Sequence, residues 1–585
     1  MPHRARLNAL KISSALRDSC ITEKYTYPIF TKDLLAGITV AIISIPLAMA
    51  LAIASGAPPQ AGIYTAIIAG LVVSITGGSR LSVSGPTAAL VVLLYPITEK
   101  FGFSGLIMAT FMAGIIMMGM ALLRLGKFVE YISDSVTQGF TTGIAVVIAT
   151  LQLKDFLGLN IKMPESYIDK VSTIIHALPA TNFFEASVGL LTLFILIIWP
   201  RLRLPITGHL PAALIAAIAA IYLTHLGHPI ATIGSKFSYV LADGVTGNGI
   251  PPVFPAIHLP WVKIQDGVSQ FWTLQEIESL LPSAFAIAML GAIESLLCAM
   301  ALDGMTDKRH HANGELLGQS LGNLLVPFFG GFASTAAIAR SAANFQAGGQ
   351  TPISTIINAI ITLLALLLLA PLLSYLPMAS MAALLMMVSW HLFDYKKLIS
   401  AVTKSPSSDV TILLVCSLLT IIFNMVIAIS VGVILASLLF MRDISAMTHI
   451  RDISADPKQV PGGLPEGWVV FKIYGPLFFA VAERIFTEVI HHTHHKRGII
   501  LYVEGVPLLD AAGIAALQRF MAICKKRNAT VMMTDIQPQP LRMMVRAHIK
   551  PVDQEFVIVP NLARAVWMAQ TNNLVNEQDI SVIIF

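Results

Sequence analysis

Charge is scarce in this chain: 12% of its 585 residues are Asp, Glu, Lys or Arg, and residues 34–79, 341–393 and 410–441 contain none. That excludes an ordinary water-soluble domain over those stretches. A membrane-crossing helix needs about 20 apolar residues, so each of the first two runs holds at least two spans. Cysteine is also rare. Cys20, Cys298, Cys416 and Cys524 are scattered without paired spacing, which excludes a disulfide framework or a cysteine-based zinc site. Neither part of the sequence assembles a nucleophile beside a base or a set of metal ligands, so the chain is not read as an enzyme and no cofactor is expected. The formal charge of +5 is modest and gives no reason to expect nucleic-acid binding.

Hydrophobic residues make up 55% of the sequence. Fourteen candidate spans follow, near 34–54, 61–77, 86–98, 103–123, 135–153, 184–200, 208–226, 280–302, 316–329, 336–347, 353–375, 377–393, 409–423 and 425–441, two of them half-length and the last two meeting near Asn424. Lys and Arg collect in short cytoplasmic loops. With the N-terminus inside, predicted inner segments carry 16 basic residues, Arg4, Arg6, Lys11, Arg80, Arg203 and Lys308 among them, against 6 outside. The expectation is a multi-pass protein of the inner membrane with both termini cytoplasmic. Residues 1–33 are read as a cytoplasmic segment, since they lack the short apolar stretch and cleavage site of a removable signal.

The transporter part is expected over 34–441. Composition then changes: residues 442–585 hold 15 Lys/Arg and 13 Asp/Glu. Residues 442–466 read as a linker and 467–585 as a soluble α/β domain, with strands expected at 468–475, 498–505 and 529–534, each followed by a helical pattern. His491, His492, His494 and His495 resemble a metal tract, but at the end of a soluble helix they read as a solvated terminus. Asp510 opens a helix, where it can cap free amides. The longest outer loop, 227–275, is rich in Gly and Pro and too long for a structureless connection.

Two hydrophobic stretches are interrupted alike, at 77–87 and at 330–340. In a bilayer an interrupted helix is tolerated only where it packs on protein or lines a wet cavity, and matching interruptions in two halves point to a midplane substrate site. The first break offers Ser84 and Thr87, with the small Ala88 just after it, their hydroxyls and amides able to face that cavity or simply to pack. Arg340 stands in the second, where a positive charge near exposed amides makes an anion site; the alternative is a structural pair with Glu294. Glu294, taken as the only carboxylate in an apolar span, calls for a proton, a cation or a functional partner.

Asp33-Leu-Leu-Ala-Gly-Ile-Thr-Val, Ile45-Pro46 leading to Gly56-Ala-Pro-Pro-Gln, and Ser82-Val-Ser-Gly-Pro-Thr87 resemble the signatures of the SulP anion transporters, and Gly475-Pro-Leu-Phe-Phe with Asp510-Ala-Ala-Gly513 resembles a STAS domain. The resemblance implies a polytopic α-helical membrane protein with a 7+7 inverted repeat, two half-helices, core and gate domains, and a C-terminal cytoplasmic α/β STAS domain, in a homodimer. It places a small anionic substrate between Ser84, Thr87 and Ala88 on one side and Ala336, Ala337, Ile338 and Arg340 on the other. Glu294 falls at the coupling position. A glutamate there rather than the aspartate of sodium-dependent carriers, with Cys298 in place of a hydroxyl, favours protons. Leu47 departs from the glutamine of many sulfate carriers, and Ala511 and Ala512 from the phosphorylatable residue of some STAS proteins. Within that family, the stretches 45–52, 291–299 and 302–306 look most like the carriers of four-carbon dicarboxylates. The expected function is proton-coupled uptake of succinate, fumarate or aspartate. Alternatives are a bicarbonate or sulfate carrier, proton- or sodium-coupled, and a membrane-anchored sensor. An unknown cytoplasmic protein is the expected partner of the STAS domain.

Overall fold

The computed structural model describes residues 12–127, 133–164, 166–202, 207–240, 246–265, 268–423 and 425–572. Arg4, Arg6, Lys11, Arg203 and the expected junction at Asn424 lie outside the described residues, as do 573–585 of the expected STAS domain. The chain divides into two compact units, Met1–Val433 and Ile434–Phe585.

The first unit is helical. Its first half runs α1 (Tyr27–Ala54), α2 (Pro59–Thr76), the two-residue strand β1 (Ser84–Gly85), α3 (Ala88–Leu122), α4 (Asp134–Phe156), α5 (Tyr167–Ala177), α6 (Phe183–Ile198) and α7 (His209–His225). Its second half runs α8 (Leu274–Thr306), α9 (Ala312–Leu325), β2 (Thr335–Ala336), α10 (Ile338–Gln346), α11 (Ile353–Leu373), α12 (Met378–Phe393), α13 (Tyr395–Lys404), α14 (Ser407–Ile422) and α15 (Met425–Met447), the last continuing into the second unit. Gly102, at φ 70°, breaks α3 into two helices. Every expected span falls on helix. Among the described residues eight helices are long and apolar enough to cross a bilayer, α7 and α14 being shorter apolar ones.

Large apolar side chains such as Leu368, Phe194 and Ile218 point outward. In water that would cost about 25 cal/mol per Å², so such a surface belongs in lipid. Buried inside are small residues, Ala36, Ala48, Ala66, Ala109 and Ala299, which let helices approach closely. Two bundles result: α1, α2, α3, α8, α9 and α11 pack together, as do α4, α6, α12 and α14. The long 227–275 loop contains paired strands, Ser238–Val240 with Thr246–Asn248 and Val262–Gln265 with Val268–Phe271.

The second unit holds β3 (His449–Asp452), β4 (Trp468–Tyr474), α16 (Ala482–His492), β5 (Gly498–Gly505), α17 (Ala511–Lys526), β6 (Thr530–Thr534), α18 (Pro538–Arg546), β7 (Phe556–Val559) and α19 (Leu562–Thr571). The sheet order is β7-β6-β5-β4-β3, parallel except for β3. Period-two alternation sends Phe471 and Ile473 to one core with Phe486 and Phe520, and Val470 to another with Val557 and Val566. The stretch read as linker therefore contains a strand. His449-Ile-Arg-Asp452 has one apolar residue, too short a pattern to register, and is held by backbone pairing to β4. Asp510 caps α17, accepting from the Gly513 N–H at 2.7 Å.

Candidate functional site

The two interrupted segments meet. β1 and β2 pair antiparallel, Ser84 opposite Ala336 and Gly85 opposite Thr335, so each break satisfies the other's backbone where no water could. Helix α3 starts at Ala88 and α10 at Ile338, their N-cap residues Thr87 and Ala337 in extended conformation and neither capped by a side chain. Pro86 precedes the first helix and, by crowding the backbone of Gly85, keeps that residue out of helical conformation. First-turn amides at two helix ends are thus left for an anion.

Arg340 lies in the first turn of α10 and is 2% exposed. Its Nη2 donates to the Pro86 carbonyl at 2.6 Å. Its Nε and Nη1 are buried and make no hydrogen bond among the described residues. A buried guanidinium with two idle donors is costly unless something accepts from it. Gly85 makes room for it: a Cβ there would sit 2.9 Å from Nη1. The alternative of a structural pair with Glu294 is not what is found, since Arg340 spends its one bond on a carbonyl of the first break.

Glu294, half-buried on α8, faces both breaks. Its Oε2 is 2.9 Å from Thr87 Oγ1 and 2.7 Å from Thr335 Oγ1, and the two hydroxyls are 2.9 Å apart. One turn of α8 also serves the second break through Ser295, whose Oγ accepts from the Ala336 N–H at 3.2 Å. Cys298 donates to Ser341 Oγ at 3.3 Å, and that oxygen accepts from the Val83 N–H at 2.9 Å.

Of the sequence-derived candidates, Thr87, Ala88, Ala337, Ile338, Arg340 and Glu294 cluster at the two helix ends. Ile338 is 46% exposed while Ala88 is 8%. Ser84 and Ala336 differ from expectation: the Ser84 hydroxyl accepts from Gln319 Nε2 at 2.7 Å, and the Ala336 amide is taken by Ser295. Both serve the strand pair rather than the open ends. Sequence reasoning missed Thr335, which touches Glu294. It also missed Glu315, a second carboxylate within an apolar bundle, 0% exposed, because α9 begins at Ala312 rather than at the expected 316. Its signal was present in Glu315, Gln319 and Asn323, three polar residues spaced by four.

The comparisons agree with this architecture. The sulfate permease family model matches residues 30–416 and the STAS domain model residues 459–565. YvdB of Bacillus subtilis, provisionally named a sulfate transporter, is 34% identical over 522 residues, covering 89% of this chain and 94% of that protein. The bicarbonate transporter BicA of a Picosynechococcus is 27% identical over 540 residues, covering 87% and 90%. The solved structure of SLC26A9 superposes with a TM-score of 0.81 at 19% identity, covering 100% of this chain and 95% of that one, a likeness of fold. The chain therefore belongs to the sulfate permease family of anion transporters, a multi-pass membrane protein whose transporter part is followed by a STAS domain.

Proposed function

We propose that the protein carries a compact oxyanion, sulfate or bicarbonate, by alternating access, that the Arg340 guanidinium and the first-turn amides of α3 and α10 hold the anion, and that Glu294 carries a coupling proton. The observation that bears most weight is the pair of idle donors on buried Arg340. Its free N–H groups can make charge-assisted hydrogen bonds to the oxygens of an oxyanion. The names of YvdB and BicA move the weight to inorganic oxyanions and away from the four-carbon dicarboxylates expected at first.

Glu294 suits proton rather than sodium coupling because its partners are two hydroxyls at hydrogen-bond distance, and a carboxyl can gain or lose a proton there without breaking the cluster. A neutral Glu294 leaves the Arg340 charge to the anion; an ionised one competes for it. Proton and anion would then move together. The excess of basic residues on the inner side supports cytoplasmic termini, and the family resemblance supports a homodimer and a cytoplasmic partner for the STAS domain.

Four-carbon dicarboxylates remain the second reading, carried by the stretches 45–52, 291–299 and 302–306. Uptake of labelled sulfate, bicarbonate and succinate into proteoliposomes under an imposed pH or sodium gradient separates the two. Sulfate or bicarbonate driven by inward proton flow is the expected result. Succinate alone would support the second reading, and binding of any of them without flux would refute transport.

A further inference from the structure

Helix α9 carries Glu315, Gln319 and Asn323 at intervals of four residues, each 1% exposed or less. Four residues rise about 6 Å along a helix and slightly exceed one turn, so the three form one stripe. Each rung grips an interrupted segment. Glu315 Oε2 accepts from the Gly78 and Ser79 N–H groups at 3.0 and 2.9 Å, and its Oε1 from Ser82 Oγ at 3.2 Å. Gln319 Nε2 donates to Ser84 Oγ at 2.7 Å and to Glu315 Oε1 at 3.2 Å. Asn323 binds the second segment with both ends of its amide, Oδ1 accepting from the Ser334 N–H at 2.8 Å and Nδ2 donating to the Ser334 carbonyl at 2.9 Å.

The packing is as close as the bonding. Gly318 lies between the first two rungs, and a Cβ on it would sit 2.6 Å from Gly77 Cα. Nothing larger than glycine brings α9 this near the first break. Buried polar groups are retained at a cost unless they are satisfied: Glu315 and Asn323 are met chiefly by backbone that a regular helix would have satisfied itself, and Gln319 by the Ser84 and Glu315 side chains, its Oε1 having no partner among the described residues.

The geometry points to α9 as a brace that sets the two interrupted segments against each other, with Glu315, Gln319 and Asn323 as positioning residues for the anion site. None of the three reaches the helix ends. They act through the β1–β2 pair, and through it on where Arg340 meets Pro86. This inference rests on the reading that the helix ends hold the anion, but bracing can be measured without any anion.

Two variants test it in the full-length protein in nanodiscs. Gln319→Met keeps volume and helix propensity while deleting the bond to Ser84; Asn323→Leu deletes the clamp on Ser334. Amide hydrogen exchange is read over residues 82–85 and 334–337. Each variant is expected to speed exchange about tenfold in both segments, not only in the one it touches. Should Asn323→Leu not fold, Gln319→Met carries the test, because its predicted effect at 334–337 lies on the segment it does not contact. Unchanged exchange there in folded protein overturns the brace.

The second arm is uptake of labelled sulfate and bicarbonate. A positioning role raises KM about tenfold with Vmax per folded molecule held within about twofold. Faster exchange with wild-type KM overturns the positioning role. If the wild type moves neither anion, the transport reading fails while the exchange arm still decides the brace.

Discussion

The two interrupted segments share a backbone plan and differ in chemistry. Each is a short strand leading into a helix whose first amides are uncapped. Each gives Glu294 a hydroxyl, Thr87 or Thr335, yet the first also supplies a carbonyl, through Pro86, while the second supplies a guanidinium, through Arg340. Their supports differ as well: the first is held by a carboxylate, Glu315, besides the Gln319 amide and the Ser341 hydroxyl, and the second by amide and hydroxyl groups, Asn323, Thr65 and Ser295. A symmetric backbone makes a pocket for negative charge in general. The asymmetric side chains add a fixed cation on one side and a titratable acid, Glu294, beside both.

Removing the asymmetry breaks the comparison most severely. Arg340→Ala deletes the cation, and loss of charge-assisted bonds of about 3 kcal/mol predicts roughly a hundredfold fall in Vmax/KM for sulfate or bicarbonate uptake, while Arg340→Lys recovers only part of it because an ammonium lacks the planar fork. Glu294→Gln should remove the response to an imposed pH gradient and leave exchange of anion for anion; the check is accumulation with and without the gradient, and an undiminished gradient response would contradict the coupling role. Gly85→Ala places a methyl against the guanidinium and should weaken uptake about tenfold, mainly through KM, as expected for a displaced binding group.

The smallest effect lies outside the membrane helices. Glu23 is held down to about 2, first by its hydrogen bond from Arg80, at 2.7 and 2.8 Å, and then by Lys308 at 3.0 Å. A carboxyl lowered from the ordinary value near 4.5 stabilises the fold fully above that pH and stops doing so as pH falls through about 2. Glu23 is partly exposed, so the contribution is under about 1 kcal/mol. Glu23→Gln should therefore melt slightly below wild type at pH 7 and alongside it near the acid limit, with the gap narrowed by salt.

The membrane part was legible because charge-free runs and matched Gly/Ser/Pro breaks are strong signals in lipid, and Glu294 and Arg340 stood out as charges where charge is expensive. Thr335 was not, since a hydroxyl in a small-residue stretch looks like packing until its partner is known. Glu315 was hidden by a span boundary drawn four residues late, which left it looking like a loop residue. In the soluble unit the three central strands were readable from their long apolar runs. The edge strands β3 and β7 were not: each has four residues, and β3 depends on pairing with β4 rather than on its own pattern.

The central claim is that Arg340 and the two helix ends hold the transported anion together. A high-resolution map of the protein saturated with the oxyanion it transports tests this directly. Density within hydrogen-bond distance of Arg340 Nε or Nη1 and of the first-turn amides of α3 and α10 is predicted. An anion bound elsewhere, with those two nitrogens engaged by protein instead, would contradict the account.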